Sequence, residues 1–256
     1  MVRKHPEIVH VQYQDITKEY ARAVEEIIRE HSLQPDNIDK AFLVCGGDHG
    51  QGAFRVVFRA LLRTSTAGPI LYNEKCIAEV YCAKEEEILL DESVMPWLET
   101  DLQKIKDSQL IATLTDGQIN CSWEVKRPAE SQVERPQGVV ELPNPLLLQS
   151  ADLAFDAYTL GKEGGAGHYC PYCKSTKAEW SLPPDEQPEL QLWTLEGLEE
   201  MYYDSTKKRA QKLGLKSLPK INSINVDDIV LPVTHIGFRI GNDIIAVFED
   251  KSRGIN

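Results

Sequence analysis

The chain has 256 residues, 42% of them hydrophobic and 27% charged, with 40 Asp and Glu against 28 Lys and Arg for a formal net charge of −12. That length can bury one large core or two small ones, and the acid excess argues against an autonomous DNA binder that relies on a long electrostatic grip. No apolar run approaches the ~20 residues of a membrane-spanning helix, and the opening "MVRKHPEIVHVQYQD" lacks the apolar centre of a secretory signal, so the expected location is intracellular, nuclear or cytoplasmic, with no membrane partner.

In chain order, "DITKEYARAVEEIIREHSL" has the periodicity of an amphipathic helix. Tyr20, Val24, Ile27, Ile28 and His31 share one face, Thr17 is placed to cap the start, and Pro35 closes the segment. His31 reads as a helix-end cation or a core-edge residue. Three strand-like runs follow, "KAFLVCGG", "AFRVVFRALLR" and "KCIAEVYCAKE", and their short Gly- or Pro-containing links suggest an antiparallel meander. "DESVMPWLETDLQKIKD" reads as a helix broken early by Pro96, and "SQLIATLTDG" with "QINCSWEVKR" as a hairpin closed by an Asp-Gly turn. The Pro-rich, charged stretch 127–145 reads as a surface loop or linker.

"LLLQSADLAFDAYTLGKEGG" then gives a short apolar strand running into a helix. After a Cys-containing loop, "WTLEGLEEMYYDSTKKRAQKLGL" reads as a helix from a Thr194 cap to Gly214. Glu196, Glu199 and Glu200 sit early in it and Lys207, Lys208, Arg209 and Lys212 late, the order a helix dipole favours. "THIGFRIGNDIIAVFEDK" places Ile236, Ile240, Ile244, Val247 and Phe248 on one stripe. This order is that of an α/β or α+β arrangement with a mixed sheet. It lacks a G-x-G-x-x-G at a strand-to-helix turn and a Gly-Lys-Ser/Thr, so a dinucleotide fold and a P-loop both fit poorly.

Three aspartates are candidates for chemistry. Asp48 follows an apolar run and lies among Gly46, Gly47, Gly50 and Gly52. It either starts a Gly turn or offers an uncrowded carboxylate to Mg²⁺, with room for a phosphate to approach. Asp152 opens a helix-like stretch, where it is either a cap or a catalytic acid beside a strand end. Asp116, in "TLTDGQ", is a turn residue or a reserve acid.

The chain has six cysteines. Cys45, Cys76, Cys82 and Cys121 fall singly in strand-like runs and read as small buried apolar residues. Cys170 and Cys173 form "HYCPYC", with His168 just before. That spacing suits two thiolates on Zn²⁺ at ~2.3 Å, a redox pair, or an inert pair. His168 is a local further ligand and His235 a distant one.

Taken together, "GGDHGQGAFR", "SADLAFDAYTLGKE", "HYCPYCKSTKAEW" and "PVTHIGFRIGND" resemble, in that order, transposon-derived proteins of the RNase H-like (DDE) transposase family. More distantly they resemble the core of the V(D)J recombination-activating recombinase. The resemblance spans most of the chain from Asp39 onward. It implies an RNase H-like mixed sheet flanked by helices, an acid triad, and a zinc-binding insertion between the second and third acids. By position Asp48 would be the first acid and Asp152 the second. Cys170 and Cys173 would be the zinc pair, with His235 a ligand from the later helical region. The implied organisation is an N-terminal helical segment (1–38), a catalytic-type core (39–160), a zinc insertion (161–234) and a C-terminal helix returning to the core (235–256).

Two positions depart from the pattern. A second His is expected five residues after His235, where the chain has Ile240, so His168 is the substitute at hand. The third acid belongs on a helix well beyond His235, and the Glu within reach is Glu249. The implied activity is two-metal phosphodiester hydrolysis and strand transfer on DNA, with Mg²⁺ or Mn²⁺ ions about 3.5–4 Å apart and a structural Zn²⁺. DNA would be gripped through additional domains or partner subunits, since no helix-turn-helix or basic arm is evident. A truncated or domesticated copy without its third acid would fold and hold zinc yet not cut. The alternative is a non-catalytic, zinc-stabilised protein-interaction module.

Overall fold

The structure, a computed structural model, describes residues 10–50, 53–65, 71–81, 90–127, 135–151, 153–162, 170–175, 177–180, 182–183, 185–207 and 212–230. Among them β2 (Ile38–Gly50), β3 (Ala53–Thr64) and β4 (Leu71–Tyr81) form the expected antiparallel meander. β1 (His10–Tyr13), too short for its periodicity to register in the sequence, pairs antiparallel with β4. β8 (Pro145–Gln149) pairs in parallel with β2, giving a five-stranded mixed sheet in the order β1-β4-β3-β2-β8. The protein is thus an α+β molecule with a mixed sheet.

A second, three-stranded sheet has the order β6-β5-β7, from β5 (Ser108–Thr115), β6 (Gln118–Val125) and β7 (Val139–Glu141). The β5–β6 hairpin turns on Asp116 and Gly117, at φ 52° and 77°, the left-handed region an Asp-Gly pair accepts. Asp116 therefore sits in a turn. β7 lies inside the stretch read as a linker. Its three residues are masked in the sequence by proline and charge on either side, but they complete the edge of β5.

α1 (Ile16–Glu30) is sandwiched between the two sheets. The Tyr20 ring centroid lies 6.3 Å from Phe58 of the large sheet and 6.0 Å from Trp123 of the small one. Trp123 Nε1 donates to the Thr17 carbonyl at 2.7 Å. Tyr20, Val24, Ile27 and Ile28 are buried as the periodicity requires, whereas His31 ends the helix in solvent. The cap is Asp15 rather than Thr17. Its carboxylate accepts from Thr17 N at 3.0 Å, and a charged acceptor at a helix start is favoured by the dipole as well. α2 (Met95–Asp107) adds Leu98, Leu102 and Ile105 to the same core. A π-helical turn, Leu90–Val94, runs directly into α2, and the change to α-helical bonding comes at Met95–Pro96, the early interruption expected at that proline.

On β3, Phe54, Val56, Phe58, Ala60 and Leu62 face the core. Its other face carries cross-strand ion pairs, Arg55–Glu79 at 2.7 Å and Arg63–Asp39 at 2.6 Å among them. Val56 and Val57 pair with Ala78 and Cys76, skipping Ile77, and this bulge leaves Ile77 buried and Cys76 exposed. The buried-apolar reading thus fits Cys45 and Cys121 but not Cys76, and Cys82 lies outside the described residues.

A second, smaller core gathers Leu160, Trp193, Leu198, Leu215 and Val226. Leu160 directly follows α3 (Leu153–Thr159) and Leu198 lies on α5 (Leu195–Tyr203), with the short α4 (Lys177–Trp180) between them in sequence. α5 begins at the expected cap, Thr194 Oγ1 accepting from Gly197 N at 3.0 Å, but stops at Tyr203 rather than Gly214. Asp204 leaves the helix with ψ 96°, and its carboxylate accepts from Thr206 N at 2.9 Å, a local turn that competes with further helix. Lys212 serves the end of this helix from outside it, its Nζ donating to the Tyr202 carbonyl, and Lys207 pairs with Asp204; Lys208 and Arg209 lie outside the described residues, as does the "THIGFRIGNDIIAVFEDK" stripe. Among the described residues no helix is long and apolar enough to cross a membrane.

A Cβ added at Gly47 would lie 2.5 Å from the Phe155 ring. Gly47→Ala is expected to destabilise the protein by about 1–3 kcal/mol, read as a lower urea midpoint, with part recovered by Phe155→Leu in the same chain. An unchanged midpoint for the single variant would mean that the strand and the ring are not in contact.

Candidate functional site

The carboxyl end of β8 lies beside the middle of β2. Cys45 pairs in parallel with Gln149, and Ser150 N donates to the Cys45 carbonyl at 2.7 Å. β2 continues past this point to Gly50, so the backbone of Asp48 is still within the strand and pairs with Arg55 on β3. The expectation that the chain leaves the sheet at the glycines is therefore corrected. Gly46 and Gly47 make no turn, and they leave no room for a ligand. A Cβ at Gly46 would lie 2.5 Å from the Ser150 carbonyl, and the space over Gly47 is filled by Phe155. The close approach is made by the β8–α3 junction, the segment that carries Asp152 in sequence. Asp152 itself, His168, His235 and Glu249 lie outside the described residues.

Immediately beyond this junction is a buried polar network absent from the sequence reading. Asp156 on α3 is 0% exposed. Its Oδ1 accepts from Gln149 Nε2 at 2.7 Å and its Oδ2 from the Tyr172 hydroxyl at 2.6 Å. Gln149 Nε2 also reaches Thr159 Oγ1 at 2.8 Å. A carboxylate buried this deeply is tolerable only with such donors. The available signal was an acid on the apolar stripe with Ala157 and Leu160. Tyr172 is the third residue of C-P-Y-C, so the network ties the Cys loop directly to β8 and α3.

The Cys loop is held by a short antiparallel ladder. Cys173 bridges Leu192, Trp193 N donates to the Tyr172 carbonyl at 2.9 Å, and Lys174 N donates to the Gln191 carbonyl at 2.9 Å. Cys170 and Cys173 are free thiols, Cys173 buried and Cys170 half-buried. Burial, then the hydrogen bond between the two sulfurs, pushes the Cys170 thiol up to about 11. Two soft donors that meet at one point are half of a tetrahedral zinc set, and to that extent the residues fit the metal. Among the described residues no third His, Cys, Asp or Glu joins them.

Beneath the pair lies Lys162, only 2% exposed. Its Nζ donates to the Cys170 carbonyl at 3.1 Å and the Leu213 carbonyl at 3.4 Å, and it sits 4.5 Å from the Trp193 ring centroid. Burial pushes this ammonium down to about 8, while Cys170 and Cys173 act to raise it. Trp193 Nε1 is buried with no acceptor among the described residues. Sequence reasoning missed both residues, because neither carries a motif.

Tyr172→Phe removes one donor from a buried carboxylate and is expected to lower stability by about 1.5–3 kcal/mol, measured by urea denaturation. A change no larger than that of a surface Tyr→Phe, such as Tyr72→Phe, would show that the network contributes nothing.

No family model, no curated protein and no solved structure matches the chain.

Proposed function

We propose that the chain is the core of a DDE-type transposase of the RNase H-like kind, built for two-metal phosphodiester hydrolysis and strand transfer on DNA. The observation that carries this reading is the parallel pairing of β2 with β8. Asp48 follows Cys45 by three residues and Asp152 follows Gln149 by three, and Cys45 and Gln149 are paired. Of the two strands β8 ends here while β2 runs on to Gly50, and the carboxyl end of a parallel strand is where α/β sheets place their ligands. The sheet order supports the reading too. The resemblance implies a mixed sheet flanked by helices, and here β2, β3 and β4 form an antiparallel meander with β8 parallel to β2. Ile229 makes a further parallel bridge to Gln149, on the far side of β8.

In this reading Asp48, Asp152 and Glu249 hold Mg²⁺ or Mn²⁺, and Cys170 and Cys173 hold structural Zn²⁺ with His168 and His235. The bound divalent ions would activate the attacking oxygen and stabilise the leaving one. The chain's own part is to hold the strand ends rigid. The bare backbone of Gly46 and Gly47 seats the β8–α3 junction against β2, and the Asp156 network locks α3 in place. With a net charge of −12, the grip on DNA comes from additional domains or partner subunits.

The test starts with Mn²⁺ alone. The purified chain is expected to bind Mn²⁺ in solution, and Asp48→Asn or Asp152→Asn to weaken that binding by at least about tenfold. Nicking of supercoiled plasmid in Mn²⁺, abolished by either substitution, would establish the enzyme. Mn²⁺ binding without nicking would mark a domesticated copy that lacks a working third acid. No Mn²⁺ binding, with zinc retained, would overturn the reading in favour of a zinc-stabilised interaction module.

A further inference from the structure

We infer that the cleft between the end of α1 and the β5–β6 hairpin is a binding site for a free α-amino acid with an apolar side chain, held between Glu25 and Arg29. The cleft has a volume of about 500 Å³, within the ~300–1,000 Å³ range of small-molecule sites. Two local features build it. After α1 the chain turns at Ser32, φ 51°, and Leu33 N donates back to the Ile28 carbonyl at 2.9 Å, which returns Leu33 to the last turn of the helix. Opposite, the Asp116–Gly117 turn pairs Leu114 with Ile119 across the hairpin. Ile28 belongs to the main core, and Leu33 and Ile119 pack against it, so the cleft has a fixed apolar floor.

Among the described residues, Glu25 and Arg29 are the charged side chains of the cleft wall. They stand one turn apart on α1, in the Glu-first order in which such a pair ordinarily closes. Here neither forms an ion pair, with the other or with any other described residue. The edge strand β6 draws the acid away. Glu25 Oε2 accepts from Cys121 N at 3.4 Å, so the carboxylate leans toward the hairpin and its Oε1 has no donor among the described residues. The neighbouring acid Glu26 is engaged by Asn73 at 2.9 Å and Lys75 at 3.1 Å. The cleft therefore offers an open carboxylate oxygen and an unpaired guanidinium above an apolar floor. A ligand with one charge would satisfy one of these groups and face the other as a like charge. An ammonium and a carboxylate on the same carbon satisfy both: the ammonium donates to Glu25, the carboxylate accepts a forked pair from Arg29, and the side chain lies on Ile28, Leu33 and Ile119.

The full chain, labelled with ¹⁵N, is titrated with L-leucine. The amide signals of Leu33 and Ile119 are expected to shift and to saturate at millimolar leucine. L-leucinamide, which lacks the carboxylate, 4-methylpentanoate, which lacks the ammonium, and glycine, which lacks the side chain, should each bind at least about tenfold more weakly. Glu25→Gln, which keeps an acceptor for Cys121 N, and Arg29→Gln should each weaken leucine binding by a similar factor. Arg22→Gln, which removes a guanidinium paired with Glu19 at 3.0 Å on the same helix, should match the wild type. Absence of a saturable shift with leucine overturns the inference, and so does leucinamide or 4-methylpentanoate binding as tightly as leucine. Should either cleft variant not fold, the three analogues on the wild-type chain decide. No residue of this cleft belongs to the proposed metal sites, so either result leaves that reading where it stands.

Discussion

The architecture depends on one close approach. For two successive residues, Gly46 and Gly47, β2 presents bare backbone, and the Ser150 carbonyl and the Phe155 ring occupy the space side chains would fill. That contact lets β8 lie in register beside β2 and turns the chain into α3 over the sheet rather than away from it. Phe155 then stacks on Phe54 at 5.7 Å, joining α3 to the main core. A side chain at either glycine would push the junction outward and strain the end of β8 against β2. The position of the junction is thus limited by steric exclusion along β2 and held by the Ser150 N–H bond to the Cys45 carbonyl.

The second core is attached by polar links where apolar area is scarce. Glu99 on α2 accepts from Asn222 N at 3.0 Å and from Ser223 N and Oγ, while Ile221 and Ile224 enter the main core. Val226 and Ile229, a few residues on, belong to the second. Asp156 makes the same kind of link from the other side, receiving Gln149 from the large sheet and Tyr172 from the Cys loop. Buried networks of this type are costly when half satisfied and specific when complete. They fix the angle at which the small core meets the large one, which apolar contacts alone would leave loosely defined.

Long periodic elements were legible in the sequence. α1, the β2–β3–β4 meander and the β5–β6 hairpin follow from patterns that repeat over many residues. What was not legible was short or non-local. β1 and β7 are strands only because an edge stands ready to receive them. Helix α5 looked longer because lysines past Tyr203 are good helix formers, yet Asp204 and Thr206 settle into a turn of their own. Of the candidate site, the Cys pair and the strand carrying Asp48 could be found by eye. The roles of Asp156, Tyr172 and Lys162 could not, since each depends on a partner far along the chain or on burial that sequence does not encode locally.

These long-range partners bear on how the proposed chemistry would be organised. Tyr172 lies between Cys170 and Cys173, and its hydroxyl ends on a carboxylate one step from Gln149, the last residue of β8. Any ion that fixes the two thiolates also fixes the residue between them. Through Asp156 that constraint reaches the strand end paired with Cys45, near which the sequence places both leading acids. A zinc loop need not touch DNA or a catalytic ion to matter here. Its effect would be to narrow the positions available to the β8–α3 junction, and a two-metal site, which tolerates little displacement of its carboxylates, gains most from that restriction.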